Sequence, residues 1–161
     1  GCPGTSAGCP GVDEAMILSE VMAYDAGSYT KVNLNRIDAT EHAAAKVDIW
    51  VPNDLVSDYY SIDPADYSSA DVTFPAGALI IKKHYSDADE PEGWTVMFKA
   101  DAGYNPDAGD WWWARILEDG TYGDAEGTPI KGIWPSCIGC HTPAGANADW
   151  VRGIPSDNHN G

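Results

Sequence analysis

Apolar and polar residues change period several times along this chain, and each change marks an element. From Val12 to Tyr24, Ile17, Val21 and Tyr24 recur at helical spacing. Asp13 and Glu14 fall in the first turn, where the helix dipole favours acids, and Asp25-Ala26-Gly27 stops the run. Lys46 to Val51 alternates instead, with Val47, Ile49 and Val51 on one face, which predicts a strand. Pro52-Asn53 opens a short helix toward Tyr60, and 61–73 is an acidic, Ser-rich connection. Further strands are predicted at Ala78 to Tyr85, Trp94 to Ala100 and Trp111 to Leu117. Their links, 86–93 and 101–110, are rich in turn formers and short enough to favour antiparallel neighbours over βαβ crossovers. Residues 28–45 are mixed in pattern and 119–132 are Gly-rich. Ser136 is a candidate cap for a helix over 137–141, and Ala144 to Val151 for a second short helix. Helix, strand, helix, sheet and a helical end together predict an α+β fold.

The 161 residues suit one domain. Residues 1–11 form a Gly/Pro/Cys-rich lead, 12–155 the body, and 156–161 a polar tail expected to be disordered. Acids outnumber bases 25 to 9, for a formal charge of −16. That balance excludes nucleic acid and anionic membranes as partners, because their phosphates would be repelled. Spread along the whole chain, the acids describe a well-solvated surface, with steering toward a basic redox partner as the sharper alternative. No apolar run reaches the length of a membrane span. The 7 tryptophans suit a protein that wraps a large, flat, apolar cofactor.

Cys137-Ile138-Gly139-Cys140-His141 carries the strongest chemical signal. Paired thiols followed at once by an imidazole form the attachment pattern of a c-type haem. The thiols add across the vinyl groups as thioethers, and the histidine becomes the proximal iron ligand. A zinc site would need a second ligand pair at suitable spacing, and a redox dithiol would sit near a βαβ pattern; the chain offers neither. One covalent haem c per chain is therefore expected, with Cys137 and Cys140 as attachment residues and His141 as metal ligand. Covalent haem attachment belongs to an exported compartment, periplasmic or extracellular. The start at Gly1 rather than methionine is read as the mark of a removed leader. Cys2 and Cys9 either close a short turn-rich disulfide ring, or Cys2 is acylated as a lipoprotein anchor.

Several segments together resemble one family. These are Phe74-Pro75-Ala76-Gly77-Ala78-Leu79-Ile80-Ile81-Lys82, Val96-Met97-Phe98-Lys99, Gly109-Asp110-Trp111-Trp112, and the haem motif with Asp149-Trp150-Val151 behind it. With Val47-Asp48-Ile49-Trp50-Val51-Pro52-Asn53 as an earlier strand, the chain resembles the cytochrome P-460 family, which includes the beta-type cytochromes c′. The resemblance spans about residues 42 to 152. It implies a curved antiparallel sheet with flanking helices, a C-terminal helical haem-attachment segment and a homodimer. It also implies five-coordinate iron, with His141 proximal and an open face toward the sheet. In the enzymes of this family a strand lysine is linked to the haem edge, and they oxidise hydroxylamine. In the beta-type cytochromes c′ the link is absent, and nitric oxide binds under an aromatic cap.

Carried onto this chain, the lysine falls on Lys82, whose parity groups it with Ala78 and Ile80, while Lys83 goes with Leu79 and Ile81. Lys82 is thus the candidate catalytic and haem-edge residue, with a solvated strand lysine as the plainer alternative. Phe98 is the candidate cap over the vacant iron position, with core packing as its alternative. Met97 is a ligand only if the pocket closes onto it. The carboxylate that the enzymes use as proton acceptor is missing from the strand Trp94 to Lys99, and Glu92 and Asp110 lie only nearby. Trp111 and Trp113 share a face opposite Trp112. His42, His84 and His159 are scattered, and His84 is a sixth ligand only outside the family fold. The function expected is a mono-haem cytochrome whose open iron face binds a small diatomic or nitrogenous ligand such as nitric oxide. The alternatives are an oxidoreductase acting on hydroxylamine or a related compound, and a six-coordinate electron carrier with a redox partner.

Overall fold

The computed structural model describes residues 11–39 and 44–161. Cys2, Cys9 and His42 lie outside the described residues, and with them the disulfide and lipoprotein alternatives.

The fold is mixed helix and sheet, with an open antiparallel sheet at its centre. Its strands are β1 (Tyr29–Lys31), β2 (Ile37–Asp38), β3 (Lys46–Pro52), β4 (Leu79–Tyr85), β5 (Pro91–Lys99) and β6 (Trp111–Ile116). Two short pieces, β7 (Asp124–Ala125) and β8 (Thr128–Pro129), form a hairpin apart, and β9 (Lys131–Gly132) closes the list. The order across the sheet is β1-β3-β4-β5-β6-β9, with β2 also paired to β3. In the centre Leu79 pairs with Phe98, Lys82 with Thr95, and Met97 with Trp113.

Each face of this sheet is covered, which is why β4, β5 and β6 read as nearly continuous apolar runs. Helix α1 (Glu14–Met22) lays Ile17 and Val21 on one face, against Leu79, Ile81, Phe98 and Trp112. Asp13 caps it, accepting a hydrogen bond from the Met16 amide at 3.1 Å. The other face holds Val47, Ile49, Ile80, Met97, Trp111 and Trp113. Over these lie α2 (Val56–Tyr60), α3 (Pro135–His141) and single 3-10 turns at Thr142–Ala144 and Ala146–Ala148. The alternation of Trp111 and Trp113 against Trp112 thus divides them between the two layers.

The C-terminal end departs from its sequence expectations. Helix α3 begins at Pro135, with Trp134 as its extended N-cap residue, so Ser136 lies inside the helix and is not the cap. Proline at the first helical position fixes both that start and the extended backbone before it. The segment 144–151 does not form a helix, because Gly145, Asp149 and Trp150 all adopt positive φ there. The polar tail is docked. His159 stacks on Tyr60 with ring centroids 4.0 Å apart, and the Asn160 amide reaches the Val32 carbonyl at 2.9 Å. No helix among the described residues is long and apolar enough to cross a membrane.

Candidate functional site

Cys137 and Cys140 stand three positions apart on α3 and His141 closes the helix, so the motif presents its thiols and ring from about one turn. Both thiols are half-buried and His141 is buried. A hollow that opens to solvent lies between this helix and the sheet. Cys137 and His141 line it from the helix side; Ile80, Lys82, Thr95, Met97 and Trp113 line it from β4, β5 and β6. Burial pushes the Cys137 thiol up to about 11, with Cys140 adding to the shift and the Lys82 charge opposing it. At neutral pH Cys137 is therefore a protonated thiol beside a cation.

His141 is held from behind. Its Nδ1 lies 2.7 Å from the Trp150 carbonyl oxygen. A carbonyl only accepts, so Nδ1 carries the proton, and Nε2 is the nitrogen with a lone pair to offer a metal. The carbonyl is aimed by an unusual piece of backbone. Asp149 and Trp150 are consecutive left-handed residues, at φ 51° and 58°, a conformation that costs energy for a residue as bulky as tryptophan.

The surrounding contacts enforce it. Lys99 Nζ sits 2.7 and 2.8 Å from the two Asp149 carboxylate oxygens. The Phe74 amide donates to Asp149 Oδ2 at 2.8 Å, and the Trp111 indole donates to the Asp149 carbonyl at 2.7 Å. Burial pushes the Asp149 carboxyl upward, against Lys99 and the Phe74 amide, which favour the carboxylate. Gly109, at φ 66°, leaves room for this turn: a Cβ there would stand 2.6 Å from the Trp150 ring. Arg152 secures the end of α3 by donating to the Cys140 carbonyl at 3.0 Å.

The residues present suit a haem. The Cys137 thiol and the tautomer-fixed His141 imidazole stand at the hollow, Cys140 on the same helix is not among its lining residues, and the opposite wall is largely apolar. Among the described residues no group of three or more His, Cys, Asp or Glu side chains could hold a bare metal ion.

Of the residues expected at the site, Cys137, His141 and Lys82 meet at the hollow, and Met97 joins them. Phe98 does not. It packs with Ile17, Leu79 and Trp112 on the α1 face, so it is not a cap over the iron position. Its pairing with Leu79 fixes this, since directly paired residues share a face and Leu79 lies opposite Ile80. Lys83 is likewise on the α1 side, over the Trp94 ring at 3.8 Å and paired with Glu118. Glu92 is exposed. Asp110 accepts from the Asn105 amide at 2.8 Å within its own loop, and no carboxylate among the described residues lines the hollow. His84 is not among the lining residues; it is buried beside Thr95, its Nε2 2.9 Å from Thr95 Oγ1. Sequence reasoning missed the Lys99–Asp149 pair and the Trp150 carbonyl, although Asp149-Trp150 directly behind the haem motif was a visible signal. No family model, characterised protein or solved structure matches this chain.

Proposed function

We propose that this chain is a mono-haem c-type cytochrome whose iron is open on its sheet-facing side and binds small ligands such as nitric oxide. In this it would act like the beta-type cytochromes c′. The observation that carries the proposal is the convergence of Cys137 and His141 on one hollow, with His141 Nδ1 anchored to the Trp150 carbonyl. When bound, the haem supplies an iron centre that takes a diatomic or nitrogenous ligand and changes oxidation state. Cys137 and Cys140 would tether it as thioethers. His141 ligates through Nε2, its ring orientation set by Trp150. Ile80, Met97 and Trp113 exclude water from the sheet side, which favours weakly hydrated ligands. Such attachment places the protein in an exported compartment.

Lys82 at the hollow is the observation that favours a second reading, an oxidoreductase acting on hydroxylamine or a related compound. Lys82 would then be linked to the haem edge, as in the enzymes of the cytochrome P-460 family. Absorption spectra of the oxidised and reduced protein, with and without nitric oxide or carbon monoxide, test both. Readily formed adducts of the reduced protein support the open-site reading, and a grossly displaced haem spectrum that Lys82→Ala restores supports the enzyme. A reduced protein that is low-spin and ignores both gases would make it an electron carrier with Met97 as sixth ligand.

A further inference from the structure

The sheet wall of the hollow carries little that can hydrogen-bond. Ile80, Met97 and Trp113 present mainly apolar surface, and Cys137 and His141 belong to the attachment side. Lys82 lines the hollow as well and is the competing polar group, which a Lys82→Met variant separates from Thr95. Thr95 is the other, on β5 directly opposite Lys82. Its hydroxyl is not a free rotor, because Oγ1 lies 2.9 Å from Nε2 of His84. His84 is fully buried on β4, where its neighbour across the other strand pair is Val47. Threonine is stiff at χ1, so a bond from a fixed imidazole defines where the remaining hydroxyl valence points. A neutral imidazole nitrogen either donates or accepts. The Thr95 oxygen can accordingly offer the hollow a proton or a lone pair.

We infer that Thr95, fixed by His84, is the hydrogen-bonding partner of the ligand on the open side of the haem, and that it favours ligands whose bound nitrogen or oxygen atom can share a hydrogen bond, nitric oxide included, over carbon monoxide. This rests on the proposed haem-binding function and deepens it by naming the ligand class. It also supplies, from a hydroxyl and a buried imidazole, polar chemistry on a wall that has no carboxylate among the described residues. Thr95 is a specificity-determining residue and His84 a positioning residue.

The test uses the haem-bearing protein and two probes, azide for the oxidised form and carbon monoxide for the reduced form, followed by absorbance titration. A hydrogen bond to a charged group corresponds to about a tenfold to hundredfold change in affinity. Thr95→Val should weaken azide by that factor and change carbon monoxide by less than about twofold. Thr95→Ser, which keeps the hydroxyl, should retain azide affinity, and His84→Phe should weaken azide by a smaller factor than Thr95→Val. Azide affinity in Thr95→Val within about twofold of the unaltered protein overturns the inference. So does a loss seen with Lys82→Met or Trp113→Phe but not with Thr95→Val. A protein that purifies without covalent haem overturns the proposed function and this inference with it. Haem-bearing protein indifferent to Thr95→Val overturns this inference alone.

Discussion

Met97 and Phe98 are chain neighbours with opposite surroundings, and the consequence is energetic as well as chemical. Met97 lines the hollow, whereas Phe98 is packed in the layer under α1. Phe98→Ala should cost about 3–5 kcal/mol of stability, the usual range for emptying a core phenylalanine site. It should leave the ligand-binding spectrum unchanged. Met97→Ala should alter ligand binding at a smaller cost in stability, because the hollow already borders it. Denaturant unfolding followed alongside carbon monoxide titration separates the two, and a changed ligand affinity in Phe98→Ala would return that ring to the site. The parity of Lys82 with Ala78 and Ile80 was legible in β4 alone. The side taken by Phe98 was not, because it depends on the register between β4 and β5, and a one-residue difference in register exchanges the faces.

At the scale of elements, the strand β5 and the turn at 149–150 are joined by one buried ion pair. The Lys99 and Asp149 side chains are 10% and 5% exposed, so neither charge has solvent to fall back on. Lys99→Met would strand a buried carboxylate, which typically costs about 3–5 kcal/mol. The double variant Lys99→Met with Asp149→Asn should cost less than Lys99→Met alone, because the orphaned charge is gone. Both variants loosen the Trp150 carbonyl behind His141, so in the proposed haem-bearing form the reduction potential should shift even where the fold survives. Equal losses in the single and double variants, or an unmoved potential, would contradict this coupling. The strands from 46 to 116 were readable from period and turn residues to within a few positions. The region 144–151 was not, because its backbone is set by long-range contacts from Lys99, Phe74 and Trp111 rather than by its own spacing. The docking of His159 on Tyr60 is of the same kind: the tail is polar by composition and held by contacts far away in sequence.

For the molecule as a whole, a formal charge of −16 sets a background of self-repulsion. Screening by salt reduces it, since the Debye length falls from about 30 Å at 0.01 M to about 10 Å at 0.1 M. The melting temperature should therefore rise over that range, and a flat or falling response in a salt titration would show that the local ion pairs outweigh the net charge. Composition made this property legible without any structure. The layered arrangement also followed from the sequence in outline, as apolar strands between amphipathic elements. The pairing order β1-β3-β4-β5-β6-β9 and the hollow between sheet and α3 needed the fold.

The proposed function stands on the chemistry at Cys137, Cys140 and His141, and the intact mass of the denatured protein examines it most directly. The expected mass is that of the polypeptide plus one haem, retained through denaturation and acidified organic solvent and lost in Cys137→Ala/Cys140→Ala. Polypeptide mass alone, or haem that extracts freely from the unaltered protein, would contradict it.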